Sequence, residues 1–399
     1  MTRSSKPAPS RVAGPVDTSL AATLVGLIAF GVVMVYSASA VYANNMFGNG
    51  YHFLVRQAVF AGVALVVLFA FSQISIELLR RTTYPVLLIA ILLMAAVALG
   101  FGRSAGGATR WLAVGPVNVQ PAELAKLAMI LWLAHSLAKK AHRVRTFSIG
   151  FLPHILIAGL LMLLCLAQPD FGSAVMIGLL TFVVLFAAGA KAGYLLGCIF
   201  IALPVGYAAI ASSPYRMRRI KAFLEPFEHR QGAGYQITES LMSFGSGGWT
   251  GVGLGDGRQK LLFLPEAHTD FISAIVGEEL GFIGVVLLSS AFAWVVFRGL
   301  RAAWRAQDEY AGYLAAGMTL FIGLQAFTNL AVAMGLLPTK GLALPFVSYG
   351  GSSLLVNAAA AGIILNTSRF GAAKQAVVSE KRKPRRRQTQ LRTATGGAR

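Results

Sequence analysis

Apolar residues fall in long, nearly unbroken runs separated by short polar stretches, not at the spacing of half-buried helices or strands. The runs lie at 20–40, 54–72, 83–101, 121–138, 151–167, 172–190, 192–212, 271–297, 310–334 and 351–368. About twenty apolar residues cross a hydrocarbon core roughly 30 Å thick as a helix. The pattern therefore predicts an all-α polytopic membrane protein with ten transmembrane helices. An even number of spans puts both ends of the chain on one side. The first run closes on Ala38-Ser39-Ala40, a small-residue pattern like a leader-cleavage site, but it is too long for a leader and reads as a retained anchor.

Composition agrees. The chain is 56% hydrophobic and only 13% charged, against about a quarter charged in soluble domains. A soluble, disordered, coiled-coil or disulfide-stapled protein is excluded. Cys165 and Cys198 lie inside apolar runs and read as packing residues.

A net charge of +20 would point a soluble protein toward nucleic acid. Here it reports topology, and no nucleic-acid partner is expected. With the N-terminus inside, 23 of the 35 Lys and Arg fall in the inside segments 1–19, 73–82, 139–150, 191, 298–309 and 369–399. The short outside loops hold only Arg103, Arg110 and Lys340. Cytoplasmic loops accumulate basic residues, so both termini are expected in the cytoplasm. This divides the chain into a cytoplasmic tail (1–19), a membrane domain (20–368) and a basic tail (369–399). The basic tail is expected to be disordered and to attract anionic lipids by about 1 kcal/mol per basic residue. Docking of a cytoplasmic partner there is the alternative.

The outlier is segment 214–269, a large extracytoplasmic loop between the seventh and eighth spans. Long loops are largely exempt from the positive-inside trend, so its basic start, Arg216 to Lys221, is compatible with that side. That start is suited to a short interfacial helix. Seven glycines between Gly245 and Gly257 read as a flexible stretch unsuited to helix. Eight of the fifteen acidic residues lie between Glu225 and Glu279. Asp270 stands where the eighth span begins, either as an N-cap, a role open to Thr269 too, or as chemistry. Glu278 and Glu279 lie about two turns inside, where carboxylates are by default functional or paired. Glu123 and Lys126, three residues apart on one helix face, form either a structural pair or a cavity lining. Asp170 reads as a turn or cap residue. The histidines show no metal-ligand spacing.

Leu264-Pro265-Glu266-Ala267-His268-Thr269-Asp270-Phe271, followed by Gly277-Glu278-Glu279-Leu280-Gly281, resembles the SEDS family (shape, elongation, division and sporulation). Two further stretches share the resemblance: Gly335-Leu336-Leu337-Pro338-Thr339-Lys340-Gly341, running on through Pro345-Phe346-Val347-Ser348-Tyr349-Gly350-Gly351-Ser352-Ser353, and Gln120-Pro121-Ala122-Glu123-Leu124-Ala125-Lys126 with Gln168-Pro169-Asp170-Phe171-Gly172. The motifs appear in family order over roughly residues 18–370. Lys340 and Gly277 place the chain nearer the cell-division branch than the elongation branch.

The resemblance implies a peptidoglycan glycosyltransferase of the bacterial inner membrane, acting at the division septum. Its substrates would be lipid II and the growing glycan strand. Its partners would be a class B penicillin-binding protein transpeptidase and other divisome proteins. The family's catalytic aspartate matches Asp270. Glu266, His268, Thr269 and Ser348 then fall in the substrate-binding set.

The chemistry suits that assignment. Joining an α-linked donor through a β-1,4 bond inverts the anomeric carbon in one displacement, so one carboxylate base suffices. Pyrophosphate leaves as a stable anion and calls for cations rather than a second acid. Candidates are Arg216, Arg218, Arg219, Lys221 and Lys340, or a divalent Mg or Mn ion, with no organic cofactor. A lipid II flippase and a non-catalytic divisome scaffold are the competing readings.

Overall fold

The computed structural model describes residues 14–382 except 106–107, 116, 233 and 262–263. Every one of the ten apolar runs falls on a helix. In chain order these are α1 (Thr18–Phe47), α2 (His52–Gln73), α3 (Ile76–Ala96), α4 (Pro121–Lys139), α5 (Leu152–Ala167), α6 (Phe171–Ala187), α7 (Ala192–Ala211), α10 (Ile272–Trp304), α11 (Glu309–Ala333) and α12 (Gly351–Arg382). Segment 214–269 supplies α8 (Pro214–Leu224) and α9 (Tyr235–Gly247). Among the described residues, seven helical segments are long and apolar enough to cross a membrane, namely Thr18–Phe47, His52–Gln73, Ile76–Phe101, Phe147–Ala167, Ala192–Ala211, Ile272–Trp304 and Glu309–Ala333. Phe171–Ala187 is apolar but shorter.

Three details depart from the sequence expectation. A small antiparallel sheet, β1 (Arg103–Ala105), β2 (Ala108–Val114) and β3 (Val117–Val119), interrupts the otherwise helical fold. Its β-branched residues favour extended backbone. Ser352 anchors it to the start of α12 by donating to the Asn118 carbonyl at 2.9 Å and accepting from the Gln120 amide at 3.2 Å. Next, α9 runs through Gly245 to Gly247, so the glycine-rich stretch is partly helical. Finally, α12 continues to Arg382, making the first part of the expected disordered tail helical. Residues 383–399 of that tail, and 1–13 of the N-terminal one, lie outside the described residues.

Side-chain caps start several helices, as the sequence favours. Asp17 accepts from Leu20 N at 3.1 Å, Asp170 from Ser173 N at 3.1 Å and Asp308 from Ala311 N at 2.8 Å. Two buried apolar clusters fill the bundle. One is built mainly from α1, α2, α10, α11 and α12, the other from α3, α4, α5 and α6. Helix α7 stands apart, with Leu195 its one buried residue.

Helix α10 is broken at Gly281, whose backbone is left-handed (φ 65°, ψ −163°). The break frees backbone groups that must find partners where water is scarce. The chain after α9 supplies them. Val252 N and Gly253 N donate to the carbonyls of Glu278 and Glu279 at 3.0 and 3.1 Å, while Phe282 N and Ile283 N donate to Gly248 and Trp249 at 2.9 and 3.1 Å. A Cβ on Gly281 would lie 2.3 Å from Gly251 N, so this approach requires glycine.

Candidate active site around Asp270

Residues 264–271 form a tight turn into α10. Glu266 takes a left-handed backbone (φ 56°), and its carbonyl accepts from the amides of Thr269, Asp270 and Phe271 at 3.1, 3.1 and 3.3 Å. The Thr269 hydroxyl donates to the Glu266 carboxylate at 2.9 Å. Phe271, not Asp270 or Thr269, occupies the N-cap of α10, and no side chain caps that helix. The capping alternative for Asp270 therefore fails.

The Asp270 carboxylate faces the segment after α11. Its Oδ2 lies 3.0 Å from where a Cβ on Gly341 would be. The residue keeps some solvent exposure, yet protein encloses the carboxyl. Burial pushes its pKa up to about 7; the Glu266 carboxylate adds to this, and the Arg219 and Arg110 guanidiniums oppose it. A base poised near the working pH removes a hydroxyl proton most effectively.

Cations reach this corner from three elements. From α8, Arg219 donates to the Thr339 carbonyl at 3.2 Å and Arg216 sits 5.5 Å over the Phe171 ring. Lys340, on the segment after α11, has its ammonium 5.8 Å from the same ring. Burial lowers the Lys340 pKa, and Asp170 counteracts that. From β2, Arg110 donates to the Pro169 carbonyl. In the sequence the one mark of Arg110 is its place against the positive-inside trend.

Other predicted residues have different surroundings. Arg218 and Lys221 point elsewhere from α8, lining a cleft of about 330 Å³ with Glu228, His229, Gln231 and Gly232. The His268 ring packs among Phe53, Tyr42 and Tyr349 at centroid distances of 4.7, 5.7 and 5.8 Å. Burial lowers its pKa, against the pull of Glu266. Ser348 is buried and accepts from Leu344 N at 2.8 Å, bracing a turn.

The membrane-depth acids are paired. Lys126 and Glu123 meet at 2.6 Å, both buried. Glu279 meets Lys260 at 2.6 Å and accepts from the Ser37 hydroxyl at 2.7 Å. Glu278 accepts from the backbone amides of Arg258 and Gln259 at 2.7 and 3.2 Å. Lys260 and Ser37 sit in no recognisable sequence motif.

One buried amide also went unnoticed. Asn329, on α11, donates to the carbonyls of Asp270 and Leu342 at 2.8 and 2.7 Å. Its own oxygen accepts from the Ser273 hydroxyl at 3.0 Å.

Among the described residues no three His, Cys, Asp or Glu side chains gather at one point.

An apolar helical bundle with an enclosed carboxylate at a helix entrance, in electrostatic reach of the Arg219 and Arg110 guanidiniums, defines a polytopic membrane protein with a polar site at one end of the bundle. The family of cell cycle proteins comprising FtsW, RodA and SpoVE matches residues 17–372, and the chain belongs to it. It is 47% identical over 345 residues to the probable peptidoglycan glycosyltransferase FtsW of Geobacter metallireducens, covering 86% of this chain and 92% of that protein. The corresponding Legionella pneumophila protein is 38% identical over 353 residues, 88% of this chain and 90% of its own. A chain in a solved peptidoglycan synthase complex, one that coordinates polymerization and crosslinking, superposes with a TM-score of 0.75 at 30% identity. The match covers 89% of this chain and 98% of that one. The crystal structure of the Thermus thermophilus rod shape determining protein RodA gives 0.64 at 28%, covering 89% and 97%.

Proposed function

We propose that this protein is a peptidoglycan glycosyltransferase of cell division that polymerises lipid II, with Asp270 as its general base. The observation that carries this reading is the setting of Asp270, an enclosed carboxylate at a helix entrance facing a cluster of cations. The carboxylate takes the proton of the acceptor sugar hydroxyl as the oxygen attacks the donor's anomeric carbon. The bond to pyrophosphate breaks from the opposite face, so the anomeric centre inverts and a β-1,4 link forms. Arg216, Arg219, Lys340 and Arg110 meet the charge that develops on the departing pyrophosphate. Glu266 acts on the base electrostatically. Family membership supports the substrate class, and the relatives' names support the activity.

Ten spans, with 214–269 outside and both termini in the cytoplasm, place Asp270 at the extracytoplasmic surface, where the sugars of a polyprenyl-anchored substrate reside. Proximity then does much of the work, because anchoring and enclosure fix donor against acceptor. Similarity to a chain of a peptidoglycan synthase complex supports pairing with a class B transpeptidase at the septum of a bacterial inner membrane.

The test supplies labelled lipid II to the full-length protein with its transpeptidase partner. Asp270→Asn is expected to reduce glycan-chain synthesis by about 10²- to 10⁴-fold, the scale of a lost general base. Chain synthesis at the wild-type rate overturns the assignment. Lipid movement across liposomes without any polymer would mark a flippase, and neither activity would mark a scaffold.

A further inference from the structure

We infer that Asn329 is a positioning residue that sets the spacing between Asp270 and the Lys340–Leu342 segment; this rests on the reading of Asp270 as the base. Asn329 is buried, at 2% exposure. Its amide joins the start of α10 to the segment after α11. One N–H donates to the carbonyl of Asp270 itself at 2.8 Å. The other donates to Leu342 at 2.7 Å, on the segment that carries Lys340 and Gly341. Its oxygen accepts from Ser273, in the first turn of α10, at 3.0 Å.

The chemistry of the side chain fits this junction. A carboxamide offers two donors and an acceptor on one rigid plane. Both donor partners are carbonyl oxygens, which only accept, so the orientation of the amide is fixed by its surroundings. The Ser273 hydroxyl holds the opposite end. Leu at this position would lack all three bonds, and Asp would lack both donors.

The consequence reaches the reacting atoms without Asn329 touching them. Asp270 Oδ2 approaches the Cβ position of Gly341 to 3.0 Å. Leu342, the next residue, is bonded to the same amide that holds the Asp270 main chain. The carboxylate and the lysine-bearing segment are thus set against one rigid group. A shift of this kind can cost a reaction about 10²-fold for roughly 1 Å.

Asn329→Leu and Asn329→Asp are compared with wild type as full-length protein in nanodiscs, with lipid II as the probe. Both are expected to lose about 10²-fold in kcat while KM for lipid II stays within about two-fold, as for a displaced base rather than a lost binding contact. For Asn329→Leu the acidic limb of the kcat–pH profile is also expected to move to lower pH as the carboxyl becomes less enclosed, whereas the carboxylate added in Asn329→Asp is expected to move it to higher pH. If the Leu variant does not fold, the isosteric Asp variant carries the same expectation for kcat and KM. Wild-type kcat in either folded variant overturns the inference. So does a loss that disappears when the variants are assayed well below their unfolding temperatures, since that would assign Asn329 to stability alone. Asp270→Asn, run in parallel, separates the two readings. An inactive Asp270→Asn beside a fully active Asn329→Leu removes only the positioning role, whereas an active Asp270→Asn removes the base.

Discussion

At Asp270 the protein keeps a carboxyl where its charged form is disfavoured, and linkage turns that into an expected cost in stability. The folded-state pKa is about 7, against roughly 3.9 for an aspartate in an unfolded chain. Between those values the native state holds the proton more tightly, so the contribution of Asp270 to stability falls as pH rises through that window. Below about pH 4 both states are protonated and there is no penalty; above pH 7 the penalty is complete. Asp270→Asn removes it. We expect the variant to have a higher Tm than wild type at pH 8, with the difference closing as pH falls toward 4, measured by thermal unfolding in detergent. Equal Tm values at pH 8 would mean that the carboxyl is not held in an enclosed site. The same enclosure predicts that wild-type kcat falls below about pH 7, as Asp270, the proposed base, takes up its proton. Asp270 was legible in the sequence because acids are scarce in this chain and cluster around it. Asn329, Arg110 and Lys260 were not, since each is a single polar residue whose partners lie far away along the chain.

Helix α10 and the glycine-rich segment before it are one structural unit. The helix break at Gly281 and the segment from Gly248 to Gly253 exchange backbone hydrogen bonds. The side chains of Glu278 and Glu279 then fasten residues 255–260 to the same helix, Glu278 through the amides of Arg258 and Gln259 and Glu279 through Lys260. Lys260 also donates to the Gly255 carbonyl at 2.5 Å. A buried ion pair is costly to make, but losing one partner is costlier. Lys260→Met is therefore expected to destabilise the fold by about 3–5 kcal/mol by stranding Glu279, whereas Lys260→Met with Glu279→Gln should recover much of the loss. Denaturant titration of both variants checks this, and additive losses would show that the two residues do not interact. Clustered glycines suggested a flexible connector, and a helix end followed by a docked segment was found instead. Gly247 and Gly251 are there for close approach to the Gly277 and Glu279 carbonyls, which depends on what lies across from them and leaves no local mark.

In the proposed topology, charge is sorted by face. Ion pairs tie the segments assigned to the cytoplasm to one another: Arg298 with Asp17 joins α10 to the N-cap of α1, and Arg80 with Asp308 at 2.8 Å joins α3 to the N-cap of α11. The proposed topology predicts opposite accessibility for two exposed positions. After replacement of the two native cysteines, Gln231→Cys should react with a membrane-impermeant maleimide in intact spheroplasts, and Thr146→Cys only after permeabilisation. Labelling of both from one side would overturn the orientation. The sequence by itself determined the membrane class, the positions of the ten helices, their orientation signal and the neighbourhood of Asp270. Those properties depend on composition and on residues close together in the chain: runs of apolar side chains, loop charge and contiguous motifs. Only the tertiary structure decided which cations share the corner with Asp270, how the break in α10 is satisfied, and that Asn329 joins Asp270 to Leu342. Each of these is a contact between segments whose separation in sequence is set by the intervening helices, and hydrogen-bond partners over such distances are chosen by packing, not by local pattern.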